Sequence, residues 1–366
     1  MGSGVVALLG SGETGPGMTK IHRELLSRLS EVRAVNLDSA YGFQLNVPQM
    51  TEKLADYFST SLQTTLEPLS LTSYEAASEV QRALFKQRVR AASYVFAGPG
   101  SPSWALTQWR PLGLTDELQA VLAHDGVVCF ASAAALTLGA FTAPIYEVYK
   151  VGVPEPYWLD GLDLMGRLGL RCAVIPHFDN REGRNYDTRY CYLGEPRLLA
   201  LEAQLPEGVG VLGVDEHTAL LIDLDARTVT VKGRGNAYWR LAGRATVLEK
   251  GPATALDDLR NVSPAPPGPA VEPSESPPSH GLEDLADQVA RGGPGAIESL
   301  AQLVHRASQG VAGRIDPTDL VDAVLRVRAT ARERGQYELA DQLRDALVGA
   351  GVDVRDDPRG STWSLR

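Results

Sequence analysis

The chain has 366 residues, 44% of them hydrophobic, with three cysteines and a formal net charge of −10. That length allows two or three domains with at least one large core, and the charge excludes a whole-surface affinity for nucleic acid, leaving only a local basic face. Cys129, Cys172 and Cys191 have unpaired spacings and no export signal precedes them, which argues against a disulfide framework; no apolar run approaches the roughly twenty residues of a membrane span, so the expectation is a soluble, cytoplasmic protein.

Through residues 1–260, short β-branched runs alternate with helical patterns, which predicts a doubly wound, mostly parallel α/β sheet. Val5 to Leu9 opens it as a strand and leads into Gly10-Ser11-Gly12-Glu13-Thr14-Gly15, a loop that can turn backbone amides toward an anion but lacks the glycine spacing of a dinucleotide fingerprint. A helix is expected over Ile21 to Ser30, a strand over Val32 to Leu37, a helix over Tyr74 to Arg90 and a strand over Ser93 to Ala97. The following loop, Gly98-Pro99-Gly100-Ser101-Pro102-Ser103, is either a plain turn or a source of oxyanion amides from Gly98 or Gly100. Val127 to Phe130 is a buried strand running into Ala131-Ser132-Ala133-Ala134 and a helix. Later strands are expected at Cys172 to Ile175, Val209 to Val214, Ala219 to Asp223 and Thr228 to Val231, the last two as a hairpin over Leu224-Asp225-Ala226. Residues 261–280, rich in proline and serine, read as a linker, and 281–366 as a small helical module with Leu320, Val324, Val327, Leu339, Leu343 and Leu347 at helical spacing before a short extended end.

Ser132 is the candidate nucleophile. A sharp strand-to-helix turn lifts a serine oxygen above the sheet and aims the first helical amide, here Ala133, at a developing oxyanion. The alternative is an ordinary capping serine at the head of an Ala-rich helix. His177 ends an apolar strand and heads the polar loop His177 to Arg184, which makes it the candidate base; His217 is the reserve, and His22 and His124 read as helix-surface residues. Glu147, Asp179, Asp215 and Glu216 are all open as the orienting carboxylate. Arg181 and Arg184, with Asp179 beside them, can bind a substrate carboxylate or serve local ion pairs. The histidines and cysteines lack metal-ligand spacing, so neither a metal nor another cofactor is expected.

The segments GSGE, FAGPGSPS, FASAAA, IPHFDNREGR and GVDEHTALLIDLDARTVTVKGRGNAYW, spread over Val5 to Trp239, resemble the cyanophycinase and aspartyl dipeptidase group of serine peptidases. The resemblance implies a class I glutamine amidotransferase-like fold, Ser132 as nucleophile, His177 as base, Glu147 or Asp215 as acid, and a homodimer as a common assembly. Phe130 and Ala134 stand where that group carries its two elbow glycines. Further on, Tyr337 to Leu347, followed by Gly351, Asp357, Gly360, Thr362 and Trp363, resembles the C-terminal region of cysteinyl-tRNA synthetases over about residues 320–366, while no HIGH or KMSKS signature of a synthetase core occurs. That resemblance implies tRNA as a partner, with Arg332 and Arg344 on phosphates and Trp363 on a base, against the opposing charge of Asp341 and Asp345. Two readings stand open: a serine hydrolase of a peptide or isopeptide amide whose C-terminal module recruits a partner such as tRNA, or a catalytically impaired relative serving as a tRNA- or protein-binding module.

Overall fold

The computed structural model describes residues 3–183, 186–251 and 253–261, and in the C-terminal region residues 321, 324–325, 328–329, 332, 337–349, 352–357 and 360–365. The chain divides into two compact units, Met1–Pro266 and Pro267–Arg366. In the first unit the strands are β1 (Val5–Leu9), β2 (Ala34–Leu37), β3 (Leu66–Leu69), β4 (Tyr94–Ala97), β5 (Val127–Ala131), β6 (Phe141–Thr142), β7 (Leu159–Asp160), β8 (Cys172–Ile175), β9 (Gly210–Val214), β10 (Thr218–Asp223), β11 (Thr228–Gly233), β12 (Ala237–Leu241), β13 (Arg244–Leu248) and β14 (Thr254–Ala255). Its helices are α1 (Pro16–Ser27), α2 (Val47–Leu62), α3 (Glu79–Ala91), α4 (Pro102–Leu112), α5 (Leu114–Ala123), α6 (Ala133–Thr137), α7 (Leu164–Arg167), α8 (Gly194–Glu202) and α9 (Asp258–Asn261).

The main sheet runs β14-β11-β10-β1-β5-β4-β2-β3. Its β3-β2-β4-β5-β1 half is parallel, and β10 and β11 add an antiparallel hairpin to it. Every residue of β1 and β5 is buried, as a parallel sheet covered on both faces requires. Alternate β1 side chains enter separate cores: Val6 and Leu8 join Phe85, Trp109 and Leu118 from α3, α4 and α5, whereas Ala7 and Leu9 join Met18, Ile21 and Phe58 from α1 and α2. A second sheet, β13-β12-β9-β8-β6-β7, is built around the parallel pair β8–β9.

Most expected elements appear, with shifted ends. Helix α3 starts at Glu79, five residues past the expected Tyr74, because Ser78 caps it and forms a reciprocal capping box with Gln81. Helix α1 begins at Pro16, whose missing N–H is harmless in a first turn, and ends before Ser30. The strand β3 escaped the sequence reading because it carries Pro68, which is tolerated because β3 sits at the sheet edge.

His22 overturns its reading as a surface residue. It is completely buried, with Nε2 2.8 Å from the carbonyl of Glu13 and Nδ1 2.6 Å from the Tyr94 hydroxyl. The carbonyl fixes the proton on Nε2, so Nδ1 accepts from Tyr94. Burial pushes the His22 pKa down to about 4 from 6.5. Protonation therefore favours the unfolded chain, and stability present above pH 6.5 is lost as pH falls toward 4, by about 3 kcal/mol in all. Denaturant titrations between those pH values should show a component of acid sensitivity that disappears in His22→Gln; an unchanged slope in the variant would remove His22 from the account.

In the second unit, α10 (Tyr337–Gly349) precedes an antiparallel hairpin of β15 (Val352–Asp357) and β16 (Gly360–Leu365). Leu343 and Leu347 are buried along one stripe of α10, as their spacing predicts, with Ala340 beside them, while the side chain of Leu339 lies outside the described residues. The hairpin forms the expected extended end, where Trp363, half-buried, pairs with Val354. Arg332 and Arg344 are exposed. The expected linker, apart from Asn261, and the expected helical stretch 281–320 lie outside the described residues. No helix among the described residues is long and apolar enough to cross a membrane, and Cys129, Cys172 and Cys191 are free and buried.

Candidate active site

Ser132 occupies the turn from β5 into α6 with φ 52° and ψ −125°, a conformation that costs a non-glycine residue on the order of 1–3 kcal/mol. The turn is held because the Ser132 amide donates to Leu9 O at 3.1 Å and its carbonyl accepts from Ala135 at 3.0 Å. Its side chain makes no cap to α6; instead Oγ lies 2.9 Å from His177 Nε2. Ala133 and Ala134 are buried. Phe130, expected to crowd the turn, points into the core beneath the sheet, where its ring meets that of Trp109 at 5.6 Å between centroids. The ring is thus taken up by the core, and Phe130 does not line the cavity onto which Ser132 opens.

His177 also has a positive φ, 48°, and is fixed by a backbone bond from its amide to Gly10 O and from Cys191 N to its carbonyl. Its Nδ1 is 2.7 Å from Glu216 Oε1. A carboxylate accepts only, so Nδ1 carries the proton and Nε2 is the acceptor for the Ser132 hydroxyl. Glu216 is itself positioned: Asn180 Nδ2 donates to the same Oε1 at 3.1 Å, and the Glu216 amide donates to Asp179 Oδ1 at 2.7 Å. The hydrogen bond from His177 is the main cause holding the Glu216 carboxyl below the usual range, against the opposing effect of burial.

Neither Glu147 nor Asp215, the two carboxylates favoured by the family resemblance, stands against His177. Glu147 Oε1 accepts from Ser103 Oγ at 2.5 Å. Asp215 Oδ2 accepts from the Asn236 amide at 2.8 Å and the Tyr238 hydroxyl at 3.0 Å, and burial raises its pKa. Asp215 and Glu216 are chain neighbours leaving β9, and successive side chains of an extended chain face opposite ways, so the choice of one for His177 removes the other. His217, the reserve base, lies against the first loop instead: a Cβ on Gly12 would fall 2.2 Å from its Nδ1.

Ser132, Ala133 and His177 open onto a cavity of about 290 Å³. Gly100 also lines it, with φ +156° and a backbone so close to Ala40 O that a Cβ would sit 2.0 Å away. Gly98 is not on the cavity wall; its carbonyl accepts from the Ala134 amide at 3.4 Å. Asp179 is occupied by the Glu216 amide, Arg181 is exposed and off the cavity wall, and Arg184 lies outside the described residues. The wall is made instead by residues the sequence reading passed over, Tyr146, Tyr149, Tyr186 and Tyr192 with Lys150 and Glu182. Their signal was the density of tyrosines on either side of His177. A larger cleft of about 590 Å³ near Asp38 and Glu52 contains neither Ser132 nor His177.

Comparison with known proteins divides along the same two units. The first unit has the fold of a peptidase from an acI-B1 Actinobacterium, at 18% identity and a TM-score of 0.55 over 69% of this chain and 97% of that one. Residues 316–363 match the family of the cysteinyl-tRNA ligase anticodon binding domain. Within the C-terminal region the chain is 37% identical over 86 residues to cysteine–tRNA ligase of Bifidobacterium longum and 53% identical over 47 residues to that of Haloarcula marismortui. These matches take in 24% and 13% of this chain and only 14% and 10% of the two ligases. The chain thus joins a body with a peptidase fold to a C-terminal module of the cysteinyl-tRNA ligase anticodon-binding type.

Proposed function

We propose that the first unit is a serine hydrolase of a peptide or isopeptide amide and that the C-terminal module recruits tRNA to it. The observation that carries the catalytic part is the continuous relay from Ser132 Oγ through His177 to Glu216, with the serine held in a strained turn and excused from capping its helix. In this reading Ser132 attacks the carbonyl carbon while its proton passes to His177 Nε2. The imidazolium is stabilised by Glu216, and His177 then returns the proton to the leaving amine. The amides of Ala133 and Gly100 hold the oxyanion, Gly100 replacing Gly98 because it reaches the cavity. The acyl-serine is then released by water, activated by the same histidine. For the C-terminal module the support is the family match, together with the exposed Arg332 and Arg344.

Mass spectrometry after treatment with a fluorophosphonate provides the test. Ser132 should be labelled, and both Ser132→Ala and His177→Ala should lose the label at that position. A folded protein that leaves Ser132 unlabelled would favour the reading of a binding protein without catalysis.

A further inference from the structure

The cavity wall, rather than the catalytic relay, narrows the substrate. The segment Glu147–Val151 follows Tyr146 and places Tyr149 and Lys150 on one side; Tyr186 and Tyr192 face them from the loop after His177. Tyr149 and Tyr192 stack at 4.8 Å between centroids and 29° between planes, and the Tyr149 and Tyr186 hydroxyls meet at 2.6 Å. Tyr146 and Tyr186 keep 40% and 57% of their surface in solvent, which makes this an open aromatic rim and not a sealed apolar pocket. Lys150 is exposed, its Nζ 4.9 Å from the Tyr149 ring centroid. Aromatic faces next to a cation are what an unpaired nucleotide uses: the base stacks and the phosphate meets the ammonium. Glu182, also on the wall, accepts from the Tyr192 hydroxyl and offers a carboxylate to a ligand ammonium. The cavity of about 290 Å³ suits a single amino-acid residue at the reacting end rather than a long chain.

These features, with a C-terminal module of the anticodon-binding type, point to one molecule carrying all the matching chemistry. We infer that the substrate of the Ser132 site is an aminoacyl ester on the 3′-terminal adenosine of tRNA, an inference that rests on the serine-hydrolase and tRNA reading above and replaces its amide bond by an ester. The adenine stacks on the tyrosine rim, Lys150 meets the terminal phosphate and Glu182 the α-ammonium. The anticodon and the acylated end are opposite ends of a tRNA, so the two units engage one ligand without needing to share a site. Ser132 Oγ bonds to the ester carbonyl carbon and its proton goes to His177. The bond from that carbon to the ribose oxygen breaks, and the ribose oxygen takes the proton. Water then cleaves the acyl-serine, giving its proton through His177 back to Oγ. The products are a free amino acid and an uncharged tRNA, with no redox change.

The test uses the full chain and bulk tRNA charged with a mixture of radiolabelled amino acids. Free amino acid should be released with a KM at least tenfold below that for amino-acid methyl esters. Ser132→Ala should fall to background, and Lys150→Ala should raise the KM for charged tRNA at least fivefold. If fluorophosphonate labels Ser132 yet charged tRNA is untouched, or is cleaved with no preference over methyl esters, or is cleaved with a KM indifferent to Lys150→Ala, the substrate assignment falls while the hydrolase stands. If Ser132 takes no label at all, the hydrolase reading falls with it.

Discussion

Replacing Ser132 or His177 by alanine is expected to lower the rate of acyl-enzyme formation by roughly a million-fold, and replacing both should cost little more than either alone. The two side chains act as one unit across a single 2.9 Å hydrogen bond, so removing either abolishes the same proton-coupled attack. The wild-type protein should give a burst of p-nitrophenol from p-nitrophenyl acetate equal to one equivalent per chain, and the variants none. Stability should change little, because alanine pays the same backbone cost at φ 52° and the substitution removes only the hydrogen bond to His177. Additive losses in the double variant would show that the pair does not work as a nucleophile and its base.

The position of that pair was legible because it depends on local rules. A buried strand running into small residues announces a tight strand-to-helix turn, and a histidine at the end of the strand Cys172–Ile175 in the same kind of sheet arrives at the same carboxyl edge. Phe130 looked like a defect only while the direction of its side chain was unknown; once β5 pairs with β1 and β4, the ring belongs to the core with Trp109. The carboxylate was not legible in this way. Asp215 and Glu216 differ by one step along the chain, and the choice between them is made by partners far away in sequence: Asn236 and Tyr238 on one, Asp179, Asn180 and His177 on the other. The cavity wall escaped for the same reason, since Tyr149 and Tyr192 become a stack only after the loop beyond His177 folds back over the segment after Ile145. Short strands such as β6 and β7, two residues each, carry too little pattern to be read at all.

Glu216→Gln is expected to lower acylation by roughly ten thousand-fold with the fold intact. The amide keeps the shape of the carboxylate but can present an N–H to His177 Nδ1. It then favours the ring tautomer whose Nε2 carries the proton and cannot accept from Ser132. It also removes the negative charge that stabilises the imidazolium formed during attack. Asp179→Ala should act on the same step more weakly, by roughly tenfold, because it frees the Glu216 amide while leaving the carboxylate in place. Glu147→Gln and Asp215→Asn touch neither His177 nor Ser132, so burst kinetics on this series separate the four carboxylates directly. If Glu147→Gln or Asp215→Asn, rather than Glu216→Gln, produced the ten-thousand-fold loss, the relay would have to run through a rearranged loop in which His177 gives up its 2.7 Å bond to Glu216. That would make the present arrangement a resting state and move the acid back to one of the residues that the sequence resemblance favours.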